Sequence, residues 1–170
     1  MQAVKYLTLT MDSGPARRLA LFVASWGYVG FFPIAPGTAG SLAALPLFAF
    51  LRWIGVPVIE LAAIPIVFVV GVWAANGAEV ALGRKDPGPV VIDEVLGMQI
   101  TLALLPVSLA GVAVGFLLFR LFDIVKPYPA ARLEHLHGGL GIMSDDAVAG
   151  VYAYLVLRGL MWLAPAWLTA

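Results

Sequence analysis

Long apolar runs that end in grouped carboxylates constrain this chain more than any other feature. The sequence is 62% hydrophobic with a mean hydropathy of +0.97, so most of it belongs in hydrocarbon or in a protein core. Its acids nevertheless fall in tight groups at the edges of the apolar runs: Asp93-Glu94, then Asp123 with Lys126 three residues on, then Asp145-Asp146. A carboxylate at the bilayer centre costs roughly 2.5–3.5 kcal/mol even on the lenient insertion scale. Five of the ten acids occupy three such edges, an arrangement that makes sense if they act together. Clustered carboxylates in a chain without cysteine favour a hard, oxygen-liganded cation such as Mg²⁺.

The 170 residues make one domain. Charged residues are 12% of the chain, about half the share of a soluble domain, and the composition is that of an integral membrane protein. Ten basic and ten acidic residues cancel, which leaves no basic face for nucleic acid. The absence of cysteine excludes disulfides, thiol nucleophiles and thiolate metal sites. Residues 1–18 have no apolar segment ahead of Arg17-Arg18 and read as a short polar tail rather than a cleavable signal. Residues 19–170 read as a single helical domain.

Leu19 to Ile34 is aromatic and Gly-rich, with Trp26, Tyr28, Phe31 and Phe32 suited to a membrane interface; it predicts an interfacial or docking helix. Residues 35–41, Ala-Pro-Gly-Thr-Ala-Gly-Ser, predict a tight loop in which Thr38 or Ser41 caps the next helix. Leu42–Trp53 and Val58–Ala75 predict a helical hairpin, with Arg52 and Glu60 near its turn. Residues 83–89 predict a loop leading to Asp93-Glu94 at the start of another helix. The run from Leu96 to Phe122 poses a parity question. One straight helix would rise about 1.5 Å per residue, or roughly 40 Å, and would separate Asp93 from Asp123. Leu105-Pro106-Val107-Ser108, with Gly111 soon after, predicts a break and a second hairpin that returns Asp123 to Asp93. Asp145-Asp146 then opens a final spanning helix, Ala147 to Leu168. The expected fold is therefore an all-α, multi-helical membrane-embedded bundle with two helical hairpins and a final spanning helix. In that topology Lys5, Arg17, Arg18, Arg84, Lys85, Arg120, Lys126 and Arg132, eight of the ten basic residues, share one face. Positive loops stay inside, which turns the acid cluster toward the cytoplasm.

Each candidate has a plain structural alternative. Asp93 and Glu94 diverge by about 100° on a helix and both reach one ion only where the backbone bends at the helix start; otherwise they complement the helix dipole. Asp145 and Asp146 have the same form, one capping and the other ligating, with Asp146 the preferred ligand. Asp123 and Lys126 share a helix face, either as a simple ion pair or as a metal ligand beside a phosphate contact. Thr38 and Ser41 offer a phosphate the N–H groups of a helix start. Arg132 is a further phosphate candidate, and His137 a general acid for the leaving group. His135, Glu79, Asn76 and the Arg52/Glu60 pair read as structural, and Arg158 as a snorkelling or paired charge. Carboxylates around Mg²⁺ with Lys and Arg nearby form a site for a phosphoryl group, with direct attack by water the simplest chemistry and a phospho-aspartate the alternative.

Four ordered motifs carry a resemblance. They are Gly37-Thr38-Ala39-Gly40-Ser41-Leu42; Ile92-Asp93-Glu94 with Gly97-Met98; Phe119-Arg120-Leu121-Phe122-Asp123-Ile124-Val125-Lys126-Pro127; and His137 through Asp146 with Ala149-Gly150. In order and spacing the chain resembles the phosphatidylglycerophosphatase A family from about Leu19 to the last helix. The resemblance implies an all-helical fold and Mg²⁺-dependent removal of the terminal phosphate from phosphatidylglycerophosphate. It also implies a place at the bacterial inner membrane. Asp93, Glu94, Asp123, Lys126, Asp145 and Asp146 fall on the family's polar motif positions. The reading is compatible with an oligomer.

Three rivals are weaker. A two-metal phosphatidyltransferase would carry an Asp-rich signature on one helix that this sequence lacks. A cation or proton carrier would place its acids mid-membrane, whereas these lie at helix ends beside Lys and Gly-rich loops. A non-catalytic membrane scaffold would be excluded by loss of phosphatase activity in several separate carboxylate variants that remain folded.

Overall fold

The computed structural model describes residues 14–133 and 136–170. Lys5, Glu134, His135 and the first thirteen residues of the predicted tail lie outside the described residues. Helix α1 is Pro15–Ala24, and a short 3-10 turn follows at Val29–Phe31. Then come α2 Pro36–Ala43, α3 Leu45–Ile54, α4 Pro57–Leu82, α5 Ile92–Leu102, α6 Leu109–Val125, α7 Ala130–Leu133, α8 Gly139–Leu163 and α9 Pro165–Leu168. Among the described residues the only β feature is an isolated bridge between Val107 and Thr169.

Among the described residues three segments are long and apolar enough to cross a membrane: Pro36–Ile54, Pro57–Leu82 and Gly139–Leu163. The all-helical, membrane-embedded architecture matches the expectation. Helix α4 shows how it packs. Its buried stripe is built from Gly71, Ala74, Ala75 and Ala78, while Val58, Leu61, Ile66 and Val69 face outward. Small residues let helices approach closely in lipid, where large side chains gain nothing by turning inward.

Helix α5 is the centre. Eight of its eleven residues are buried, and its main neighbour is α8. Gly97 and Gly150 make that contact, since a Cβ on Gly150 would lie 2.6 Å from the Gly97 carbonyl. Buried polar groups on α5 are satisfied locally. Thr101 Oγ1 donates to the Gly97 carbonyl at 2.8 Å and Gln99 Nε2 to the Ala44 carbonyl at 3.1 Å.

The predicted break between α5 and α6 is present. Ser108 caps α6, its Oγ accepting the Gly111 N–H at 3.1 Å. Glu60 Oε1 accepts the Leu104 N–H at 2.7 Å, and Arg52 lies 3.3 Å from Glu60 Oε2 while donating to the Leu105 carbonyl at 3.0 Å. Arg52 and Glu60 therefore tie the turn of one hairpin to the turn of the other. Helix α6 then runs back and returns Asp123 to Asp93.

The structure corrects two local expectations. Residues 36–43 form a helix, not a loop, because Pro36 presets the first turn. Gly40 is tolerated within it because a Cβ there would lie 2.6 Å from Val91 Cβ. Neither Thr38 nor Ser41 caps a helix; Ser41 Oγ donates to the Gly37 carbonyl at 2.8 Å inside α2. The final helix begins at Gly139, so Asp145 and Asp146 lie two turns inside α8 and neither caps it. A turn at Gly138, with φ of +66°, makes the earlier start possible.

Candidate active site

A cavity of about 610 Å³ opens where α5 begins and α6 ends. Among the described residues its wall carries seven acids, Glu79, Asp86, Asp93, Glu94, Asp123, Asp145 and Asp146, against three bases, Lys85, Arg120 and Lys126. With every group ionised, four negative charges are in excess.

Asp93 and Glu94 occupy the first turn of α5, where acids suit the positive end of the helix dipole. Their neighbouring positions do not keep them apart. One oxygen from each, and one from Asp146 across the interface with α8, all lie within 4.8 Å of one another. Asp93 Oδ1, Glu94 Oε2 and Asp146 Oδ2 are all buried without a hydrogen-bond partner. Unpartnered buried oxygens are costly, and the three carboxylates that carry them are grouped closely enough to hold a metal ion. Burial, with Glu94 alongside, raises the Asp93 carboxyl well above the usual carboxylate range. Burial and then Asp146 push Glu94 up to about 8, against the lowering effects of a hydrogen bond with Asp93 and, less, of Arg120.

Two cations border the triad. Arg120 Nη1 lies 2.6 Å from Asp123 Oδ2 and 3.7 Å from Glu94 Oε1. Gly37 of α2 covers this pair, and a Cβ there would press on Glu94 Oε1 and lie 2.9 Å from Arg120 Nη1. Lys126 terminates α6 with φ of +46°, and its Nζ donates to Asp145 Oδ2 at 2.7 Å. Asp145 Oδ1 accepts the Asp146 N–H at 3.0 Å.

The fold thus brings together Asp93, Glu94, Asp123, Lys126, Asp145 and Asp146. It places four other candidates differently. Thr38 lines a separate apolar groove with Phe32, Ile34 and Leu42, and Ser41 is buried. Arg132 is exposed, its guanidinium 5.1 Å from the Tyr128 ring centroid. His137 is exposed, although its neighbours Leu136 and Gly138 line the cavity. Arg158, read from the sequence as a snorkelling or paired charge and not as a site candidate, donates to the Tyr154 hydroxyl at 3.0 Å. Arg120 has no site role in the sequence reading; its spacing of three to Asp123 on a helix is the available signal.

Residues 22–161 match the family model described as Phosphatidylglycerophosphatase A. The chain belongs to the phosphatidylglycerophosphatase A family. It is 42% identical over 133 residues to Phosphatidylglycerophosphatase A of Escherichia coli K12, covering 75% of each chain. The family member from Haemophilus influenzae Rd is 37% identical over 136 residues, covering 78% of this chain and 83% of its own. A Bacteroides thetaiotaomicron protein, provisionally named a phosphatidylinositol-3-phosphatase, is 40% identical over 142 residues, covering 79% of this chain and 88% of its own. No solved structure matches the chain. As a member of the phosphatidylglycerophosphatase A family the chain is a phosphatase.

Proposed function

We propose that this chain is a Mg²⁺-dependent lipid phosphatase that hydrolyses phosphatidylglycerophosphate to phosphatidylglycerol and phosphate in phospholipid biosynthesis. The reading places it in the bacterial inner membrane with the cavity facing the cytoplasm, where the basic residues of the cavity wall and its loops keep it. The observation that supports the metal dependence is the convergence of Asp93, Glu94 and Asp146, each of which also has one buried carboxylate oxygen without a hydrogen-bond partner, in a cavity lined by further acids. A phosphate monoester carries nearly two negative charges of its own near neutral pH and would be repelled by these carboxylates in their ionised form.

Asp93, Glu94 and Asp146 would hold the ion, with Asp123 and Asp145 beside them. A divalent cation held there would offset the carboxylate charge and polarise the phosphoryl oxygens. Arg120, held by Asp123, presents its guanidinium to the phosphate rim, and Lys126 does the same from the end of α6. The first turn of α2 at Gly37 contributes backbone N–H groups. Water attacks phosphorus, the bond from phosphorus to the glycerol oxygen breaks, and a proton passes from water to that oxygen. Asp145, fixed by Lys126 and by the Asp146 N–H, is placed to accept the proton from water. His137, whose neighbours Leu136 and Gly138 line the cavity, and the exposed Arg132 are the candidates for contacts to the headgroup, whereas Thr38 lines the apolar groove and Ser41 is buried.

The Bacteroides relative favours a second reading of the substrate, an inositol lipid phosphorylated at the 3-position. Phosphate release from the two lipids, compared in one detergent at equal concentration, decides between them. The proposal expects kcat/KM at least tenfold higher for phosphatidylglycerophosphate. The reverse ranking would overturn it and establish the inositol lipid.

A further inference from the structure

One turn of α4 reaches both loops that deliver the acid pairs. Asn76 and Glu79 lie three residues apart and so share a helix face. Asn76 Oδ1 accepts the Gly139 N–H at 2.8 Å. That N–H belongs to the first residue of α8, whose N-cap Gly138 has no side chain to satisfy it. Asn76 therefore caps a helix from outside it, and that helix carries Asp145 and Asp146 two turns further on. Glu79 Oε1 accepts the Asp86 N–H at 2.9 Å. Asp86 belongs to the loop between α4 and α5, which leads directly into Asp93 and Glu94.

The contacts around Asn76 leave no slack. A Cβ added at Gly138 would collide with Asn76 Oδ1 and lie 3.7 Å from Glu79 Oε2, and one at Gly139 would collide with the Val72 carbonyl. The start of α8 is thus pressed against the backbone and polar face of α4.

We infer that Asn76 and Glu79 are positioning residues of the phosphatase, which fix the Asp93-Glu94 pair and the Asp145-Asp146 pair relative to each other through the two loops they hold. Each acts through an accepting oxygen, not through charge. The inference rests on the acid cavity being the active site. A displacement of about 1 Å at reacting groups can cost about 100-fold in rate, and one lost loop anchor is enough to allow such a shift.

The test compares Asn76→Ala with Asn76→Asp and Glu79→Ala with Glu79→Gln, using full-length protein in detergent. Asn76→Asp and Glu79→Gln each keep an accepting oxygen in place. Readouts are kcat and KM for phosphatidylglycerophosphate, the melting temperature, and Mn²⁺ binding followed by electron paramagnetic resonance without substrate. The expected result is kcat lowered about 10- to 100-fold in both Ala variants, KM changed less than about twofold and Mn²⁺ binding weakened. The conservative variants, Asn76→Asp and Glu79→Gln, should recover most of kcat. Glu79→Gln as impaired as Glu79→Ala would overturn the inference, because the carboxylate charge would then be what matters. Wild-type kcat and Mn²⁺ binding in both Ala variants would also overturn it. If wild-type protein releases no phosphate, the functional reading fails instead, and the Mn²⁺ comparison still decides the positioning claim.

Discussion

Arg120 Nη1 lies 2.6 Å from Asp123 Oδ2, one turn further along α6. The pair keeps a guanidinium beside the carboxylate triad, where Arg120 also approaches Glu94 at 3.7 Å. Asp123→Asn keeps the shape but removes the charge that holds Arg120. Turnover should fall on the order of 100-fold or more with expression and melting temperature close to wild type. Wild-type rates in this variant would sink the site as described.

Metal-free protein should lose stability as pH rises. Glu94 is pushed from 4.5 up to about 8 by burial and by Asp146, so its neutral form is the one the folded state prefers. The stability it contributes is complete below pH 4.5 and disappears as pH climbs through about 8. Asp93, raised by burial and Glu94, acts in the same direction. Melting curves in EDTA from pH 5 to about 9 should show a falling midpoint, and Mg²⁺ should restore more of it at the alkaline end. A midpoint that climbs over this range in EDTA would contradict the burial of these acids.

The same substitution at two glycines should have opposite consequences. At Gly37 a Cβ meets Glu94 and Arg120, whereas at Gly159 of α8 nothing lies within 4 Å. Gly37→Ala should lower kcat/KM by at least about tenfold through displaced site residues. Gly159→Ala should leave activity within about twofold and favour the helix by roughly 0.5–1 kcal/mol. Steady-state kinetics on the two variants, side by side, checks this.

Glu60 stands apart from the chemistry. It is buried and satisfies both Arg52 and the Leu104 N–H. Glu60→Ala leaves the Leu104 N–H without its acceptor and Arg52 with the Leu105 carbonyl alone, a cost of about 1–3 kcal/mol. The melting temperature should drop while kcat per folded molecule stays near wild type. A selective loss of kcat at unchanged melting temperature would show that the hairpin clamp reaches the site.

The acid groups were legible in sequence because carboxylates at the edges of apolar runs are too costly to be incidental. The second hairpin followed from the same argument, since only a break near Pro106 lets Asp123 rejoin Asp93. The helix over residues 36–43 was hidden by its glycines. Gly37 and Gly40 look like loop formers until their neighbours, Glu94 with Arg120 and Val91, are known to leave no room for a Cβ. The start of α8 was hidden in the same way, because its cap comes from Asn76, more than sixty residues upstream. Thr38 and Ser41 misled for a related reason. Hydroxyls in a Pro-Gly segment suggest capping, but once the segment is helical, Ser41 bonds back to Gly37 and Thr38 turns to the apolar groove.

The most direct measurement is phosphate release from phosphatidylglycerophosphate in detergent micelles by wild type and by Asp146→Asn, with Mg²⁺, after EDTA, and after Mg²⁺ is restored. The account predicts release by wild type that EDTA abolishes and Mg²⁺ recovers, and almost none from the variant under any condition. Equal release by wild type in EDTA and in Mg²⁺ would contradict a metal site built from Asp93, Glu94 and Asp146.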